Sequence, residues 1–394
     1  MRIIINEIFA LAAEEFLADG YWKSEFSEPG ATEIHAAFNT RTFVGIHKGF
    51  AGVIYLLARA KAAGMDLSKV NTPLNKSITY INDFCEANHQ GIQPGVHFGS
   101  AGLILSLINA VNMKLEGSES VNINNLIQGF DTEPAGFDMI TGAAGQGMAM
   151  LICRDHIPQN VLLEVTTKLN QTILGSQLPD GSWDIKLHPN KKPEKNTSFG
   201  YGIAGVVFYL LHHACYFPNP STLEAAKKGL SYLLQVSYED GPNIKWNHSL
   251  QDQFDGGWWC NGTPGVALVF LKGYEVFGDE VYRNTAAKAL HSLPEEYIHY
   301  NLSQCHGMAG IGEIYLEAYK VLGSAEWLQR ANWIKEYLVT HHIDTKEGNC
   351  AWLVENSQFP TADLLVGMGG VLHFLIRFRN QQLGFPLLSN NPLL

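Results

Sequence analysis

Seven times along this chain, a pair of glycines three residues apart opens an apolar stretch. The pairs begin at Gly49, Gly99, Gly142, Gly202, Gly262, Gly307 and Gly367, and close at Gly52, Gly102, Gly145, Gly205, Gly265, Gly310 and Gly370. Successive pairs start 50, 43, 60, 60, 45 and 60 residues apart. One such pair carries no information. Seven in near-regular array mark a repeat architecture, in which each unit buries its apolar surface against the next. The stretches that follow, such as Val53–Arg59 and Val206–His212, are apolar on nearly every face. A helix of that kind has to be buried all round.

Amphipathic stretches lie between these units. In residues 222–236, Leu223, Ala226, Leu230, Leu233 and Leu234 share one helical face, with Glu224, Lys227 and Lys228 opposite. Segments 74–88, 161–175, 280–291 and 326–341 read the same way. Each repeat therefore predicts a buried, glycine-led helix and a covering one. An open array needs polar capping repeats, yet the first and last units here are as apolar as the middle ones. Closure follows: an all-α fold with an inner ring of seven helices inside an outer ring. Length alone suggests two or three domains, but the repeat makes residues 1–394 a single domain. Polar segments 178–200 and 238–259 are expected as ordered loops, docking surfaces or solvated connections. The N-terminal residues 1–16 read as a helix, not a signal peptide. The segment Gly200–Gly205 matches a dinucleotide fingerprint, but no strand precedes it and it belongs to the helical series.

The charge balance narrows the partners. The chain has 27 Lys+Arg against 38 Asp+Glu, a net −11. With no basic excess, nucleic acid and anionic membrane are poor partners. No run of apolar residues is long enough to predict membrane insertion. Six cysteines in 394 residues imply no disulfide framework, so a cytoplasmic protein with reduced thiols is expected.

The glycine pairs also supply a coordinate system. If all seven buried helices start at one end of the ring, their unpaired N–H groups favour anions and thiolates there. The residues just before each pair then line one rim. Two residues ahead stand His47, His97, Ile140, Gly200, Cys260, Cys305 and Leu365. Cys260 and Cys305 share a register in adjacent repeats, and His306 follows directly. Two thiols and an imidazole at one rim suit a catalytic zinc, which takes three protein ligands and keeps one position open. Cys85, Cys153, Cys215 and Cys350 read instead as small buried hydrophobes. Asp138, four residues before Gly142, is either a base or electrostatic partner at the rim, or a cap.

These residues resemble the lanthionine synthetase C-like family, the cyclases of lanthipeptide biosynthesis. The likeness covers residues 45–378 and rests on Trp259-Cys260-Asn261-Gly262 and Cys305-His306-Gly307. It implies an α/α toroid of about seven inner and seven outer helices. It also implies one Zn²⁺ on Cys260, Cys305 and His306, with Asp138 in acid/base work. The implied reaction adds a peptide cysteine thiol to dehydroalanine or dehydrobutyrine, leaving a thioether ring. The implied partner is a dehydrated precursor peptide with a leader, made by a separate dehydratase. Two positions depart from the family. Its histidine at the fourth unit is Tyr201 here, and its arginine four residues before the first zinc cysteine is Gly256. Tyr201 can donate a proton but is a poor base at pH 7. His97 and His47 share the rim register, either as substitutes for the family histidine or as satisfied polar contacts. Two other functions suit the same residues: glutathione transfer onto dehydroamino acids, and a zinc-bearing peptide scaffold with little or no cyclase activity.

Overall fold

A computed structural model describes residues 44–389, except 89–91, 132, 135, 187–191, 250, 345–349 and 356–359. The helix expected over residues 1–16 lies outside these. All seven glycine-led helices are present: α1 (Phe50–Ala62), α3 (Ser100–Asn112), α4 (Ala143–Ile152), α6 (Ile203–Tyr216), α8 (Thr263–Phe277), α10 (Met308–Leu322) and α12 (Met368–Arg379). Each packs on the next, and α12 packs back on α1, so the ring closes. Ten or eleven residues of α1, α3, α6, α8, α10 and α12 and nine of α4 are buried, as helices apolar on all faces require.

Around them run the amphipathic helices α2 (Asn71–Asn88), α5 (Gln159–Gly175), α7 (Pro220–Gln235), α9 (Glu280–Leu290) and α11 (Ala325–Thr340). Between α3 and α4 the outer position holds only a short helical segment, Ile123–Leu126 with its 3₁₀ extension to Asp131. Two of the outer helices carry side-chain caps. Asn219 accepts from the Ser221 amide of α7 at 2.9 Å, with Pro220 in the first turn, and Asp279 accepts from Val281 of α9 at 2.9 Å.

The inner helices begin differently. Each is led by glycine with no side-chain cap. In six of them a first-turn amide donates instead to the loop carbonyl seven residues earlier: Ala51 to Val44, Ser100 to Gln93, Ala143 to Gly136, Ile203 to Asn196, Met308 to Asn301 and Met368 to Thr361; in α8 the Thr263 amide donates to the Asp255 carboxylate of the preceding loop at 3.0 Å. The rim amides are therefore largely satisfied by the chain itself, not left open for anions as the sequence suggested. The same arrangement explains the second glycine of each pair. With the loop laid along the first turn, the carbonyl six residues back meets the glycine Cα. A Cβ on Gly102, Gly145, Gly205 or Gly265 would stand 2.0–2.1 Å from the oxygen of Val96, Met139, Phe199 or Trp259. The constraint is the chain's own return, more than a neighbouring helix. A left-handed backbone angle at the first glycine occurs only at Gly49 (φ 111°) and Gly262 (φ 144°).

Gly145→Ala is accordingly expected to lower stability by about 1–3 kcal/mol through overpacking. Gly175→Ala, with nothing near its Cβ, should hold or raise stability by about 0.5–1 kcal/mol. Urea midpoints of the two variants check this, and equal midpoints would remove the steric account.

Buried tryptophans anchor the described parts of the linkers. Trp183, Trp246 and Trp352 are each at most 1% exposed. Their indole N–H groups donate to Ile173, Leu233 and Leu338, near the last turn of α5, α7 and α11. Three linkers are thus pinned to the preceding outer helix in one repeated way. Small hairpins occupy what an all-α reading left as loops: β1 (Tyr238–Asp240) with β2 (Asn243–Lys245), and β3 (Ile343–Asp344) with β4 (Cys350–Ala351), both antiparallel. Cys85, Cys153 and Cys350 are buried as expected, whereas Cys215, near the end of α6, is exposed. All six cysteines are free.

The seam of the ring is polar. Glu313 of α10 pairs with His373 and Arg377 of α12, which also reaches Glu317. Arg59 of α1 donates to His373 and to the Gly384 carbonyl, and Arg377 to the Leu383 carbonyl. Leu383, Phe385, Leu387 and Leu388 are buried beside them, 1–2% exposed.

Candidate metal centre

The residues two positions ahead of each glycine pair form a rim joined by backbone hydrogen bonds. His47 N–H donates to His97, His97 to Ile140, Met139 to Gly200, Gly200 to Cys260, Cys305 to Leu365 and Leu365 to His47. At the remaining step, between Cys260 and Cys305, the link is through side chains. There the two sulfurs and a His306 ring nitrogen all lie within 4.8 Å of one another. The register inferred from the glycines places these three residues together as expected.

The cluster carries a strongly shared charge. Cys260 is held down at about 5 by a hydrogen bond from Cys305 and by the adjacent His306. Cys305 is pushed well up by that same bond and by burial. Burial opposes the charged His306 ring, but the Cys260 sulfur and the Glu355 carboxylate outweigh it and raise the imidazole to about 11.

Glu355 escaped sequence reasoning. Its Oε1 lies 2.9 Å from His306 Nδ1 and accepts from Ser303 Oγ at 2.6 Å. This engages one ring nitrogen and leaves Nε2 as the donor to a metal, an arrangement that fixes the tautomer of metal-ligating histidines. Glu355 sits 49 residues from His306 on a motif-free loop, with a left-handed φ of 53°. No spacing in the sequence points to it. Two sulfurs and one imidazole nitrogen suit zinc and leave a fourth position for a substrate sulfur.

Tyr201 adjoins the cluster. Burial raises its phenol above the ordinary range, with the charges of Asp138, Cys305 and Cys260 adding to the effect. It therefore keeps its proton at neutral pH. Asp138 is buried and acts as a cap of its own loop: its Oδ1 accepts from the Ile140 and Thr141 amides at 2.8 and 2.7 Å, and Oδ2 from Thr141 Oγ1 at 3.0 Å. Burial outweighs those bonds and raises its pKa. It ties the turn ahead of α4 and is not the helix cap the sequence offered, since Gly142 holds that position, and its field also reaches Tyr201.

His97 is not brought to the thiols. It is fully buried, its Nδ1 lies 2.9 Å from His47 Nδ1, and its ring lies 5.9 Å from Trp259. Burial pushes it down to about 3, so it is neutral. Gly256 shows why the arginine of the family is missing: a Cβ there would stand 2.2 Å from the Asn261 carbonyl. Asn261 is itself held by His248, whose Nδ1 lies 2.9 Å from its Oδ1.

Comparison with known proteins places this geometry. The family described as Lanthionine synthetase C-like protein matches residues 43–387. "Nisin biosynthesis protein NisC" of Lactococcus lactis subsp. lactis is 23% identical over 283 residues, 62% of this chain and 66% of that protein. "Glutathione S-transferase LANCL1" of Danio rerio is 23% identical over 93 residues, 24% of this chain and 22% of that one. The aligned parts fall short of two thirds of either relative. Among solved structures, "Nisin cyclase" superposes with a TM-score of 0.71 at 17% identity, covering 96% of this chain and 93% of that one. A sugar epimerase from a ruminal bacterium superposes at 0.51 with 10% identity, covering 96% and 97%. Both likenesses concern the helical double ring.

Proposed function

The chain belongs to the lanthionine synthetase C-like family, and on that premise we propose that it is a zinc-dependent lanthipeptide cyclase. The observation that carries the reading is the convergence of Cys260, Cys305 and His306, with Glu355 behind the imidazole. Cys260 Sγ, Cys305 Sγ and His306 Nε2 would hold one zinc ion. When bound, zinc lowers the pKa of a coordinated thiol, so that a peptide cysteine is thiolate at neutral pH.

This chain's own residues do the rest. Glu355 and Ser303 orient the imidazole. The peptide thiolate adds to the β-carbon of a dehydroalanine or dehydrobutyrine, and the electron pair moves to the α-carbon and its carbonyl. Tyr201, which keeps its proton, donates at the α-carbon and is reprotonated from water, which has taken up the proton released by the thiol. Asp138 fixes the loop that carries the third glycine unit, and its charge helps keep Tyr201 protonated. The substrate on this reading is a dehydrated precursor peptide with a leader, supplied by a separate dehydratase. No described helix is long and apolar enough to cross a membrane.

Ring closure leaves mass unchanged but protects cysteines from alkylation. The test is incubation with a dehydrated cysteine-containing peptide, followed by iodoacetamide and mass measurement. Protection supports the cyclase. Labelling as in the enzyme-free control, with zinc retained, overturns it in favour of the scaffold reading. An added glutathione mass overturns it in favour of the transferase.

Glu355→Gln keeps the size but loses the charge behind His306. It is expected to weaken zinc affinity about 10–100-fold. Competition with a zinc chelator measures this directly, and unchanged affinity would make Glu355 a loop contact only.

A further inference from the structure

The metal cluster opens on one side. The His306 side chain is 33% exposed, whereas Cys260 and Cys305 are 5% and 2% exposed. Trp258 packs edge-on against His306 at 5.3 Å, and Phe254 meets Trp258 at 6.0 Å. His299 meets Trp258 at 6.5 Å and Tyr300 at 4.3 Å. A continuous aromatic lip thus runs from Phe254 through Trp258 to Tyr300, in contact with the cluster. Its ends are unusually bare: Phe254 is 48% exposed, Ile298 56% and Tyr300 71%. Apolar groups of this size, exposed side by side, mark an interaction surface.

Charge identifies the occupant. The two loops, residues 246–262 and 291–307, contain no Lys or Arg. Glu295 and Glu296 are exposed next to the lip. An aromatic face with neighbouring carboxylates and no lysine or arginine on its own loops attracts side chains that are apolar or positively charged. An extended peptide advances about 3.3 Å per residue. The lip, two ring contacts from His306, lies within a few residues of any cysteine held at the cluster.

We propose that the lip formed by Phe254, Trp258, Ile298 and Tyr300, with Glu295 and Glu296, binds the residues flanking the reacting cysteine of a peptide substrate and selects apolar and cationic ones. This rests on the cyclase reading only in that a peptide thiol occupies the cluster. It adds the substrate class: peptides rich in aromatic, aliphatic and lysine residues beside their ring-forming cysteines.

The test uses two fluorescein-labelled pentapeptides, each with a central cysteine. One is flanked by phenylalanine and lysine, the other by glycine and serine. Anisotropy on the purified, zinc-loaded chain should show tighter binding of the first. The double variant Ile298→Ser/Tyr300→Ser should weaken the first peptide about tenfold and leave the second unchanged. Glu295→Gln/Glu296→Gln should weaken the first peptide and flatten its dependence on salt. Both pairs lie at the surface, so equal melting temperatures check the fold. Equal affinity of the wild type for both peptides, or no change in the serine variant, overturns the proposal. Binding is read without ring closure. A flank preference without thioether formation would sink the cyclase and keep the lip. Ring closure with equal KM for both flanks would sink the lip and keep the cyclase.

Discussion

Cys305→Ala is expected to bring zinc content from one ion per chain to below about a tenth, and to cut ring-closure kcat/KM on the order of 10³-fold. A catalytic zinc held by three protein groups cannot lose one and keep both affinity and the open position that receives substrate. Cys305 also has a second task. Elsewhere around the rim, neighbouring repeats are joined through backbone amides, but Cys260 and Cys305 are joined through their sulfurs. Removing one sulfur breaks the rim at the one step that no backbone hydrogen bond joins among the described residues. The Cys305 amide still donates to Leu365 at 2.9 Å, so the loop keeps its place and the fold should survive. Elemental analysis gives the zinc stoichiometry, and alkylation protection of a dehydrated peptide gives the rate. Protection equal to wild type would show that the thiol pair is structural and that the metal mechanism is wrong. Cys215→Ala serves as the control, since that thiol is exposed and far in sequence from the rim; it should change neither readout.

What the sequence made legible depends on how local the signal is. Each inner helix announces itself because its buried start needs glycine at two fixed positions. Repetition then turns seven weak signals into a coordinate system, and Cys260, Cys305 and His306 fall together in it. The physical cause of the glycines was not legible. It lies in a loop laid along the first helical turn, with the Met139 carbonyl against Gly145 and its equivalents. The same loop satisfies the amides that sequence reasoning had left open at the rim. Glu355 was invisible for a different reason: its partner His306 is 49 residues away across α10 and α11, and the loop that carries Glu355 has no periodicity to fix its position. The polar linkers were open between ordered loop, docking surface and solvated connection. Burial separates them, since Trp183 and Trp246 pin their linkers whereas Trp258 faces the open side of the cluster.

Arg377→Ala is expected to destabilise the protein by about 3–5 kcal/mol at pH 7, the range for removing one partner of a buried ion pair. Glu313 is 0% exposed and would keep only a hydrogen bond to His373, whose ring burial holds below its ordinary pKa and hence neutral at pH 7. The seam would suffer at three points. Arg377 joins Glu313 and Glu317 of α10 to α12, and its Nε holds the Leu383 carbonyl at 2.8 Å. The buried C-terminal segment that follows would lose an anchor, leaving Arg59 to hold Gly384. The pH dependence separates this account from simple loss of packing. In the wild type, burial pushes Glu313 up, but Arg377 and His373 outweigh it and hold the carboxyl below the usual 4.5. That contribution is present above 4.5 and is lost as pH falls through the folded-state value. Without Arg377, burial prevails and the folded-state value rises above that of the unfolded chain. The variant is then penalised at neutral pH and relieved as Glu313 takes up a proton. The stability gap between variant and wild type should therefore narrow as pH falls from 7 towards 4.5. Adding Glu313→Gln to Arg377→Ala should recover part of the loss at pH 7, because the unpaired buried charge is gone. Urea unfolding of the three proteins at the two pH values measures all of this. A gap independent of pH, with no recovery in the double variant, would show that Arg377 acts through packing and its hold on Leu383, not through the charge of Glu313.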